Sequence, residues 1–171
     1  CYRDNRLNPI HEGTHGIQSL DLLGRKLWMH SGKGLQLLLA RVNATLAEAK
    51  EVEVLQPLIE RYKQKLNTFT QTTMALGQHL QTGKADETLA NSALYLDMMG
   101  KMVVGWLWIE MAQKAQCAFG ESSGQEDQQF LAGKLHACRY FIDWELGEIE
   151  HQASLLTTLD DTCSTMQQNW F

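Results

Sequence analysis

Between Leu55 and Leu80 the side chains Leu55, Ile59, Tyr62, Leu66, Phe69, Thr73, Leu76 and Leu80 recur in alternating steps of four and three. That rhythm stacks them on one face of an α-helix, whereas a half-buried strand needs a step of two. No segment of the chain alternates with period two strongly enough to be read as a strand. Only Pro9 and Pro57 interrupt backbone donors, so nearly the whole chain is free to be helical.

The remaining segments repeat the pattern. Thr14 is a plausible N-cap for a helix with Ile17, Leu20, Leu23, Leu27 and Trp28 on its apolar side. It is expected to end near His30, because Ser31-Gly32-Lys33-Gly34 is the strongest breaker cluster in the chain. A second helix carries Leu35, Leu38, Leu39, Val42, Leu46 and Ala49, and the third stops at Thr82-Gly83-Lys84. The fourth, capped near Asp86, presents Leu89, Ala93, Leu96, Gly100, Val103, Leu107 and Met111. After a turn at Gly120 to Gly124, a fifth runs through Leu131, Leu135, Cys138, Ile142, Ile149, Ala153 and Leu156. Cys1 to Gly13, with Asn5, Asn8 and Pro9, reads as an irregular arm. The expected fold is all-α, an antiparallel bundle of four to five helices. Met98 to Met111 is apolar nearly all round, broken chiefly by Lys101 and Glu110, which fits a central helix or one meeting a second partner surface.

At 171 residues the chain is long enough for one domain with a real core. A net charge of -5 without a basic stripe makes nucleic acid an unexpected partner. The apolar run Met102 to Ile109 is far short of the roughly 20 residues that cross a bilayer, so no membrane span is expected. Cys1, Cys117, Cys138 and Cys163 lack metal-type spacing. Cys117 and Cys138 fall at different heights of the last hairpin, which predicts unpaired thiols in a cytoplasmic-type compartment. The chain begins with Cys1 and not Met, so the natural N-terminus is expected to lie upstream and targeting signals cannot be judged.

The segment richest in chemistry is Asn8-Pro9-Ile10-His11-Glu12-Gly13-Thr14-His15-Gly16-Ile17-Gln18. His11-Glu12-Gly13-Thr14-His15 matches the H-E-x-x-H pattern of zinc hydrolases, which needs both imidazoles on one face of an established helix. Gly13 and Gly16 each cost about 1 kcal/mol of helix relative to Ala, and no third histidine follows. The same residues fit another role. A carboxylate on a loop beside Gly13 lies close to whatever binds there, and a helix starting at Thr14 offers free N–H groups to an anion. Apolar surroundings raise a glutamate towards neutrality, suiting removal of a weakly acidic C–H proton. On these residues alone an ordinary capped loop remains open as well.

Tyr2-Arg3-Asp4, Arg6, Ile10, Glu12-Gly13-Thr14, Gly16-Ile17-Gln18 and Gly24-Arg25-Lys26 strongly resemble the end of the catalytic domain in the acyl-CoA dehydrogenase family. There an arginine–aspartate pair precedes a Tyr-Glu-Gly-Thr loop and a helix reading Gly-Ile-Gln. The ending at Lys26, with well over a hundred helical residues after it, resembles the longer branch that adds a C-terminal helical domain. The match is specific over about the first 30 residues and rests on length and helical pattern beyond them. It implies that residues 1–31 finish the catalytic domain and 32–171 form the extension. It also implies that Glu12 takes the pro-R α-proton of an acyl-CoA thioester while the β-hydrogen leaves as hydride to flavin N5. Gly13 then lines the substrate, and Thr14, His15 and Gly16 contact FAD. Electron-transfer flavoprotein is the implied acceptor, and a homo-oligomer the implied assembly. These residues alone are expected to be inactive. His11 departs from the family's tyrosine, which puts an ordinary fatty-acyl specificity in doubt.

Two further constellations have simpler readings. Glu148-Ile149-Glu150-His151 contains one Glu-x-x-His, but a di-iron bundle needs a second copy, and His30, His79 and His136 lack an acid three residues before. Trp106 and Trp108 lie about 200° apart on a helix and cannot share a pocket, so packing explains them, as it does Trp144 and Trp170. Lys63, Lys65, Glu48 and Glu51 read as solvated faces. A non-catalytic helical interaction module remains the alternative function.

Overall fold

The chain's apolar steps of three and four produce helices throughout the computed structural model, which describes residues 2–5, 14–121 and 124–170. In order these are α1 (Tyr2–Asn5), α2 (Thr14–Gly24), α3 (Lys33–Ala49), α4 (Gln56–Gln81), α5 (Ala85–Ala90), α6 (Ser92–Glu121), α7 (Gln125–Asp143) and α8 (Ile149–Thr157). Short 3-10 turns occupy Lys26–Gly32, Glu53–Leu55, Glu145–Glu148 and Gln168–Trp170. No strand occurs among the described residues. The expected all-α bundle is the fold, and α3, α4, α6 and α7 are its long members.

Side-chain pairs between helices fix the directions. Tyr62 of α4 donates to the Met102 carbonyl of α6 at 2.8 Å, and Thr73 meets Tyr95 at 2.8 Å, so α4 and α6 are antiparallel. Trp106 reaches Thr45 of α3 at 2.9 Å. Lys101 pairs with Glu148, and Gln152 of α8 donates to Asp97 at 2.6 Å, so α8 also runs against α6. Tyr62, Phe69, Tyr95, Met98, Ile109, Ile142 and Leu146 fill the core. Each such side chain contributes roughly 1.5–3 kcal/mol by leaving water.

α4 keeps the register read from its sequence, with Leu55, Ile59, Tyr62, Phe69, Thr73 and Leu76 all buried. Pro57 sits in its first turn, where a missing N–H loses nothing. It ends as expected at Thr82, where Gly83 takes φ +86 and Lys84 N–H bonds the His79 carbonyl at 3.1 Å.

Five expectations need correction. The core face of α6 is Tyr95, Met98, Met102, Gly105, Ile109 and Ala112, whereas Ala93, Gly100, Leu107 and Met111 are exposed. A helix that is apolar nearly all round carries almost no directional signal, so its stripe was read one step out of phase. The expected fifth helix breaks at Trp144 into α7, a 3-10 turn and α8, while Leu131, Leu135, Cys138, Ile142, Ile149, Ala153 and Leu156 still face inward. The fourth is likewise divided at Asn91, with Asp86 inside α5 and not before it. The breaker cluster splits differently: His30 (φ 50), Ser31 (φ 57) and Gly32 (φ 76) turn the chain through left-handed conformations, and Lys33 and Gly34 already belong to α3. The arm expected over 1–13 carries one helical turn, Tyr2–Asn5, and residues 6–13 lie outside those described.

Candidate functional site

α2 forms because Leu23 and, just beyond it, Leu27 are drawn into the core. Its first residue is Thr14, which was expected as the cap just before it. Glu12 and Gly13, with His11, lie outside the described residues, so only Thr14, His15 and Gly16 of the candidate set have a described place. His15 and Gly16 are solvent-exposed, and a side chain added at Gly16 meets nothing within 4 Å. No acid stands in the first turn of α2. An 11-residue helix thus begins at Thr14 with no acid in its first turn, and such an amide-bearing end is positive.

Buried polar contacts hold that end. Ser19, 1% exposed, donates to the Gly16 carbonyl at 2.8 Å and bonds the Ser92 hydroxyl at 3.0 Å, tying α2 to the start of α6. Gly16 lines a shallow concavity of about 450 Å³ with Ser19, Leu20, Asp86 and Ser92. Asp86 is the acid in this lining, and its charge disfavours an anion on the α5 side.

On α6, Asp97 lies in a polar cluster with Lys101 and Gln152. Burial pushes the Asp97 carboxyl up, but hydrogen bonds from Lys101 and Gln152 outweigh it and hold the group below its ordinary value. Burial likewise opposes the Lys101 charge, and its bonds to Asp97 (2.8 Å) and Glu148 prevail, leaving the ammonium above its usual range. This polar cluster was not read from the sequence. Lys101 was visible as a break in an apolar helix, but nothing marked Gln152 or Asp97 as its neighbours.

The other constellations resolve structurally. Glu148 is engaged by Lys101, and His151 is exposed. No three metal-ligating side chains come together among the described residues. Trp106 bonds Thr45, while Trp108 lies 6.0 Å from the Lys134 ammonium, so the two indoles do face different neighbours. Trp144, expected in packing, is 72% exposed and stacks on Tyr140. Lys65, expected to be solvated, pairs with Glu150 of α8. Cys117, Cys138 and Cys163 are free thiols. No helix among the described residues is long and apolar enough to cross a membrane.

A family model described as acetyl-CoA dehydrogenase C-terminal like matches residues 38–167. The chain is similar to the 3-methylmercaptopropionyl-CoA dehydrogenase of Ruegeria pomeroyi, 29% identical over 167 residues, covering 96% of this chain and 27% of that protein. It is also similar to the broad-specificity linear acyl-CoA dehydrogenase FadE5 of Mycobacterium tuberculosis, 21% identical over 174 residues, covering 99% of this chain and 28% of that protein. The chain thus spans about a quarter of the length of each relative.

Proposed function

The chain belongs to the family of acetyl-CoA dehydrogenase C-terminal-like domains, and from that premise we propose that it is the C-terminal portion of an FAD-dependent acyl-CoA dehydrogenase with Glu12 as general base. The observation that carries the reading is the start of α2 at Thr14, directly after Glu12-Gly13, in a chain of this family. A carboxylate and an open amide end then follow one another within a few residues.

In this reading Glu12 takes the α-proton of an acyl-CoA thioester and the product is the trans-2-enoyl-CoA. Gly13 lets the backbone approach the thioester closely. Thr14, His15 and Gly16 hold FAD through the N–H groups that begin α2, and the open space beside Gly16 fits that role. The flavin, when bound, supplies the acceptor for the β-hydride. An electron-transfer flavoprotein would be the partner that reoxidises the bound cofactor. His11, in place of the family's tyrosine, changes the polarity beside the base and shifts acyl selectivity.

The division into residues 1–31 and 32–171 fits the left-handed turn at His30 to Gly32 and a family match beginning at residue 38. A second reading, a helical interaction or homo-oligomerisation module, is favoured by uncovered apolar side chains: Ile17 is 64% exposed, and Val104 and Leu107 are 41% exposed. The two readings are compatible, since a catalytic tail also buttresses its neighbours. Zinc hydrolysis through His11 and His15 is separated from both by metal analysis of the purified protein.

The test is anaerobic titration of the longer protein with acyl-CoA. Glu12→Gln is expected to keep the yellow flavin and lose its bleaching by substrate. Bleaching at the wild-type rate removes Glu12 from the role.

A further inference from the structure

A separate groove of the bundle shares no lining residue with the concavity beside Gly16. It lies between the start of α4 and the middle of α7 and encloses about 410 Å³, within the roughly 300–1,000 Å³ usual for small-molecule sites. Its lining is largely apolar, Leu58 and Leu135 among it, and its polar side chains are Arg61, His136 and Arg139. No acid lines it, in a chain whose net charge is -5.

The two arginines share one acid, Arg61 closely and the more exposed Arg139 at longer range. One carboxylate, Asp143, stands 2.7 Å from Arg61 Nε and 3.5 Å from Arg139 Nε, bridging α4 and α7. Arg61 Nε is buried yet makes no well-directed hydrogen bond, so its pairing with Asp143 is incomplete. Two guanidinium groups against one carboxylate leave a net positive charge, beside aliphatic side chains. Arginine forks match a carboxylate in geometry as well as in sign.

We infer that this groove binds a linear amphipathic carboxylate, its chain along Leu58 and Leu135 and its head on Arg61 and Arg139. Charge selects the head and the apolar lining selects the tail, so neither part alone suffices. The inference stands apart from Glu12 and from the proposed dehydrogenation.

Amide NMR titrations of the 171-residue chain test it, with octanoate, octylammonium and inorganic phosphate as probes. Saturable shifts at Leu58, Arg61, Leu135 and Arg139 are expected with octanoate, at least tenfold weaker binding with phosphate, and none with octylammonium. Arg139→Gln, at a side chain 69% exposed, is expected to keep the fold and weaken octanoate at least tenfold. Val54→Asp, at an exposed position in the apolar lining, is expected to abolish it. Equal binding of octylammonium overturns the charge selection, and equal binding of phosphate overturns the tail. Unchanged affinity in Arg139→Gln, or shifts confined to Val104 and Leu107, overturns the site itself.

Discussion

Burial separates the described cysteines. Desolvation, with a smaller push from Asp143, raises the Cys138 thiol to about 12, so almost none of it is thiolate at neutral pH. A disulfide-exchange reagent is therefore expected to label exposed Cys117 and Cys163 quickly and Cys138 only on unfolding, checked by peptide mass spectrometry. Rapid labelling of Cys138 in the folded chain contradicts this. Asp21 shows the opposite effect at the surface. Hydrogen bonds from Arg25 and then Lys26 lower its carboxyl from 3.8 to about 2. Its contribution is thus complete above pH 3.8 and lost as pH falls through about 2. A carboxyl NMR titration with a midpoint at 3.8 means that the clasp does not form. At Gly77 an added methyl would stand 2.6 Å from the Trp28 ring, which is fixed by its 2.6 Å hydrogen bond to the Leu23 carbonyl. Gly77→Ala is expected to cost about 1–3 kcal/mol, read as a lower urea midpoint. An unchanged midpoint shows that the indole moves freely, and with it the join between residues 1–31 and α4.

Among the helices, α6 separates what a sequence shows from what only packing decides. It touches α2, α3, α4, α7 and α8, so apolar side chains serve on nearly every side of it. Its two faces are expected to respond differently to substitution. Met98→Ala, at a site 0% exposed, should cost about 2–5 kcal/mol. Leu107→Lys, at 41% exposure, should change stability by no more than about 0.5 kcal/mol. The reverse order in chemical denaturation restores the face suggested by Leu89, Ala93 and Gly100. α4 was legible because Lys63, Gln64 and Asn67 contrast with Tyr62, Leu66 and Phe69 along the helix. α6 offers few such contrasts. The break after Asp143 was hidden for another reason. Ile142, Ile149 and Ala153 keep helical spacing across the 3-10 turn at Glu145–Glu148, so periodicity ran through an interruption. Nor did any local pattern announce that Arg61 and Arg139, far apart in sequence, share Asp143.

At the scale of the whole molecule, the all-α bundle followed from spacing, and the family followed from a short motif near the start together with the match over residues 38–167. Glu12-Gly13-Thr14 stands out in the sequence because a carboxylate before a glycine and a helix start is a local arrangement. Its surroundings do not, since Ser92 and Asp86 reach α2 only through tertiary packing. The proposed function joins these parts in one claim, that Glu12 moves the α-proton. The direct measurement is washout of deuterium from a 2-deuterated acyl-CoA by the longer protein in ordinary water. Wild type should exchange the label, and Glu12→Gln should slow exchange by about 10²–10⁴-fold while retaining flavin. Washout at the wild-type rate in Glu12→Gln contradicts the account.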